Sequence, residues 1–137
     1  HTTARRQRQM CIRDRRKAVE ASGKKALLLS SNSLSHRHFT TEPEIPEDMS
    51  KEHITNHNQY LWDMKMINLM KEGKTREMID LMPDFTEQTV AETEAGCLTW
   101  LMSALGFPDY IPTVHAYLTV IGTGNAIIGW DPKKAKI

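Results

Sequence analysis

Eight residues, Thr41-Glu-Pro-Glu-Ile-Pro-Glu-Asp48, constrain this chain most. Two prolines and four acidic side chains in such a run neither continue a helix nor offer anything to bury. They read as a linker over residues 42–49, dividing the 137 residues into a leader, 1–41, and a body. Charge divides at the same place. The leader carries ten Lys and Arg against Asp14 and Glu20, a formal +8, whereas the remainder carries −7. A body of about ninety-five residues suffices for one core of three to five short helices, with the marginal stability expected of that size.

The leader has two parts. Arg8-Gln-Met-Cys-Ile-Arg-Asp-Arg15 resembles the peptide produced when a ligated sequencing adapter is translated in frame, which would set residues 8–15 aside from any fold. From Arg16 to Thr41, Arg16, Lys17, Lys24, Lys25 and Arg37 alternate with Leu27, Leu28, Leu29 and several serines, and Glu20 is the lone acid. That is transit-peptide composition. The tetrad Arg37-His-Phe-Thr40 resembles a mitochondrial processing site cut after Phe39. The leader is therefore expected to be disordered and to direct the protein to mitochondria or plastids.

The body predicts an all-α fold of helical hairpins over 50–130, standing alone or as a fragment of an α-solenoid, then a polar tail, 131–137. Ser50 reads as an N-cap, and Ile54, Leu61, Met64, Ile67, Leu69 and Met70 form an apolar stripe flanked by Trp62 and Met66. Gly73 closes that helix. Thr75–Met82 forms a second, ended by Pro83. Thr86, Glu87 and Gln88 open a third that runs to Leu105 and stops at Gly106. Val114–Ile121 is short enough to be a helix or a buried strand, and helix is the favoured reading.

The segment from Leu69 to Met82, Leu-Met-Lys-Glu-Gly-Lys-Thr-Arg-Glu-Met-Ile-Asp-Leu-Met, resembles the turn and second helix of a pentatricopeptide repeat. Trp62 then falls at the aromatic position of the first helix and Asp63 at the base-reading position. Ile111–Ile121 resembles the opening of another repeat, with Tyr117 at its aromatic position. The resemblance implies RNA binding, but phosphate neutralisation requires positive charge and the body is acidic. A protein partner fits better. Met66, Met70, Met78 and Met82, with Trp62, are the residues expected to form an adaptable apolar face for it.

Chemical motifs are sparse. Gly122 and Gly124 resemble part of a dinucleotide-binding turn after a strand, without the third glycine or a following acid. His53 and His57 are spaced i, i+4 like two metal ligands but lack a third. Cys97 reads as buried and inert, Glu92 and Glu94 as facing different ways, and His36 and His38 as parts of the leader. No catalytic, cofactor or metal site is expected, and no segment is apolar enough to span a bilayer. The leading expectation is a non-enzymatic mitochondrial adaptor, an accessory subunit of a larger protein assembly. An RNA-binding repeat fragment and a truncated dinucleotide-binding enzyme stand behind it.

Overall fold

The computed structural model describes residues 14, 16–37, 54 and 56–133. Residues 8–13, His38, the linker at 42–49, Ser50 and His53 therefore lie outside the described residues, as do the last residues of the tail. A helix over 16–22, α1, ends at Gly23, whose φ of +64° suits a residue without a Cβ. Residues 24–33 then run without regular structure.

The longest helix, α2, spans His57–Lys71, and Asn56 caps it by accepting from the Gln59 N–H at 3.2 Å. It ends where Gly73 adopts φ +71°. Two helices follow, α3 (Thr75–Asp80) and α4 (Met82–Thr89). Pro83 does not terminate a helix here. It occupies the first turn of α4, where a missing N–H costs no hydrogen bond. The expected continuous helix from Thr86 to Leu105 is likewise interrupted. Thr86 lies inside α4, Val90 turns left-handed, and a tight turn over Glu92–Ala95 precedes α5, Gly96–Leu105.

The all-α expectation is overturned in the last third. Thr113–Val120 forms β1 and pairs antiparallel with β2, Thr123–Gly129, with a bulge between Val114 and Ala116. Ile121 and Gly122, both at positive φ, make the two-residue loop that matches strand twist. The β-branched residues of this segment found a partner strand, which local periodicity does not report. The stretch likened to the start of a second helical repeat is thus β1, and a solenoid is excluded here. After Gly122 the chain returns as β2 instead of entering a helix, so the dinucleotide-binding expectation fails too.

Phe85, Met66, Ile67, Met70, Met78 and Met102 are fully buried and form the centre of the core, with Leu34, Met82, Leu98 and Leu101 around them. The hairpin rests against α2. The leader also contributes. Leu34 and Ser35 are buried, Leu34 N–H donates to the Gly124 carbonyl at 2.8 Å, and His36 bridges to Thr123. The boundary expected at residue 41 therefore has core residues on both sides of it. A cut after Phe39 would detach Leu34 and Ser35 from the interior that they fill.

Candidate active site

Residues 33–36 are held from three sides. Beneath them lies Asp63, fully buried on α2. Its Oδ1 accepts from Ser35 N at 3.0 Å, and its Oδ2 accepts from Ser35 Oγ and from the Tyr117 hydroxyl, each at 2.7 Å. Three donors converge on one carboxyl group. Burial raises the Asp63 pKa above its ordinary value of 3.8, and the hydrogen bonds from Ser35 and Tyr117 oppose that shift only in part.

Gly124 closes the network. Its N–H lies 3.0 Å from both the Ser35 carbonyl and Ser35 Oγ. A Cβ here would fall within the Asp63 carboxylate and 2.8 Å from Ser35 Oγ, so only glycine admits this approach. The Gly124 chosen for a cofactor turn is instead where one strand passes over a buried acid.

On the other side of the segment, Glu92 Oε2 accepts from Ser33 N at 2.6 Å and from Ser33 Oγ at 2.9 Å. Ser33 Oγ also lies 2.6 Å from His36 Nδ1, and His36 Nδ1 is 3.9 Å from Glu92 Oε2. A serine hydroxyl has one proton. Since Ser33 gives it to Glu92, it accepts from His36, which places the imidazole proton on Nδ1 and makes Nε2 the basic nitrogen of the neutral ring. His36 and Glu92 are both about one-third exposed, open to solvent yet fixed in position. The backbone of His36 is anchored by its N–H to the Thr89 carbonyl at 3.2 Å, and Gln59 donates to that same carbonyl.

The turn that presents Glu92 is strained. Val90, Thr93, Glu94 and Ala95 all have φ between 50° and 53°, the left-handed region that costs a non-glycine residue roughly 1–2 kcal/mol. A β-branched Val there is an outlier. Such strain clusters where a fold must aim a functional side chain.

The residues expected to meet a partner are mostly inside. Met66, Met70, Met78 and Met82 are buried, and Trp62 lies against Phe85 beneath the Lys65 ammonium. Asp63, the base-reading residue of the repeat resemblance, is fully enclosed. His57 is exposed and stacks near Tyr60. Cys97 is half-buried and accepts a long hydrogen bond from Thr93. Sequence reasoning missed Ser33, His36 and Glu92 as a group because 59 residues separate Ser33 from Glu92. One local signal was present. The run Leu27-Leu-Leu-Ser-Ser-Asn-Ser-Leu-Ser-His36 also reads as an apolar strand that ends in polar groups.

Ser33, His36 and Glu92 thus form one hydrogen-bonded polar cluster beside a strained turn, and the chain is similar to a dioxygenase subunit. That relative is the β subunit of 2-aminophenol 1,6-dioxygenase from Pseudomonas sp., 49% identical over 120 residues, which is 88% of this chain and 39% of the relative. The chain thus spans about two fifths of the length of the curated relative it matches. No family model matches it.

The likeness to a bacterial dioxygenase subunit overturns the expectations of a non-enzymatic adaptor and of mitochondrial or plastid import. Of the leader's leucines, Leu34 is buried in the core and Leu28 packs against it. No helix among the described residues is long and apolar enough to cross a membrane.

Proposed function

We propose that this chain is part of a dioxygenase subunit acting on 2-aminophenol or a close hydroxylated aromatic amine. His36, oriented by Ser33 and Glu92, would be its acid–base group. The observation that carries the reading is the Ser33 hydroxyl bridging His36 and Glu92, in a chain whose 49% identity to the Pseudomonas subunit extends over 88% of its length. Partners follow from the same likeness: a β subunit works in an assembly with another subunit.

Nε2 would take the proton of the substrate hydroxyl, raising the electron density of the ring that O2 oxidises, and return it later to a developing oxyanion. Ser33 and Glu92 hold the ring in the tautomer that permits this. Asp63, through Ser35, fixes the backbone on which His36 sits. Incorporating O2 into an aromatic ring requires a redox-active metal or organic cofactor, which supplies the electron-transfer chemistry. Among the described residues no three His, Cys, Asp or Glu side chains lie together, so the two-histidine, one-carboxylate set of non-haem iron oxygenases is not assembled from them. His36 and Glu92 alone do not make such a site.

The test is O2 consumption by the complete subunit with its partner subunit and 2-aminophenol. His36→Ala is expected to lower kcat by about a hundred- to ten-thousand-fold while the protein remains folded. No O2 uptake with any aminophenol, or an unchanged kcat in His36→Ala, would end this reading.

A further inference from the structure

Between Gly23 and the site, residues 24–33 show a pattern that the described fold does not use. Exposure alternates: Leu28, Ser30 and Asn32 turn partly toward the core, whereas Leu27, Leu29 and Ser31 turn away. That is the period of a β-strand. The outward leucines are 82% and 76% exposed, far more than the side chains on either side of them in the core. Among the described residues, the backbone of 25–32 makes no backbone–backbone hydrogen bond, although Leu34 and Ser35, just beyond it, pair with Gly124. A strand with unpaired amides and two bare leucines is a template for another strand.

The β1–β2 hairpin is incomplete in the same sense. Two antiparallel strands alone are marginal, and Leu118 and Ile127 are exposed at 52% and 65%. The matched region is only 39% of the Pseudomonas subunit, so a protein of that length has ample further polypeptide to supply neighbours.

We infer that residues 25–32 are a strand of a larger sheet, and that the neighbour pairing with it is an apolar strand from the remainder of the same subunit. This rests on the reading of the chain as part of a dioxygenase-type subunit. Because the strand leads directly into Ser33 and His36, its pairing would also stiffen the segment that carries the acid–base group.

The experiment compares the 137-residue chain alone with a chimaera in which it replaces the matched residues of the Pseudomonas subunit, using amide hydrogen exchange read by mass spectrometry. Amides of residues 27–31 are expected to exchange about 100-fold more slowly in the chimaera than in the lone chain. The double substitution Leu27→Lys, Leu29→Lys should abolish that protection in the chimaera and leave the far-UV circular dichroism of the lone chain unchanged.

Three results would overturn the inference. These amides could exchange fast in a chimaera whose α2 amides are protected. They could already be slow in a monomeric lone chain. Or the lone chain could form a dimer that protects them, making a second copy the occupant. Aminophenol-dependent O2 uptake by the chimaera is a separate readout: fast exchange in an active chimaera removes only the strand, and slow exchange in an inactive one removes only the dioxygenase reading.

Discussion

Ser33 donates its hydroxyl proton to Glu92 across 2.9 Å, joining an extended segment near the start of the described chain to a strained turn 59 residues later. Because that proton is committed, the contact decides which nitrogen of His36 carries hydrogen. The nitrogen-15 shifts of His36 should report the Nδ1–H tautomer. Ser33→Ala should move the ring toward a mixture dominated by Nε2–H. Wild-type protein already in the Nε2–H form would refute the arrangement.

Asp63 is the structural anchor of the same segment. Tyr117→Phe removes one of its three donors and should cost about 1–2 kcal/mol in urea unfolding, while Asp63→Asn, which turns an amide toward groups that themselves donate, should cost about 2–3 kcal/mol. If both variants unfold like the wild type, the network does not hold the segment.

The raised pKa of Asp63 sets the sign of a pH effect. Its folded-state value lies above the unfolded value near 3.8, so the native protein binds the extra proton more tightly. The stability that this linkage contributes is fully present below 3.8 and is lost as pH rises through the folded-state value. Unfolding free energies measured across the acid range should therefore show wild type losing ground relative to Asp63→Asn as pH increases from 3.8. A difference that moves the other way would mean that the hydrogen bonds outweigh burial.

Gly124→Ala forces a methyl group into the Asp63 carboxylate and against Ser35 Oγ. Neither neighbour is a flexible chain end, so something in the backbone must move. Destabilisation of about 3 kcal/mol or more is expected in thermal or urea melts. A cost under about 1 kcal/mol would show that the strand can withdraw from α2.

Val90 is half-exposed and left-handed, with φ 50° and ψ 48°. Asn tolerates that region far better, so Val90→Asn should stabilise the protein by about 1 kcal/mol. The gain measures the strain in the turn leading to Glu92, since a relaxed turn would gain nothing from the change.

By itself the sequence determined the local punctuation and much of the interior. Gly73 and Gly106 lie just beyond helices because a left-handed cap favours residues without a Cβ, and Ile67, Leu69 and Met70 of the expected stripe are buried, whereas its Ile54 and Leu61 are exposed. Pro83 misled because proline both ends one helix and starts the next, and only the neighbouring chain path distinguishes the two. Tertiary structure alone decided that 113–129 is a hairpin, that Leu34 and Ser35 belong to the core, and that Ser33, His36 and Glu92 meet. Those outcomes depend on hydrogen bonds and burial between residues distant in sequence, whose free energy appears only when both partners are in place, so no window of local pattern contains it.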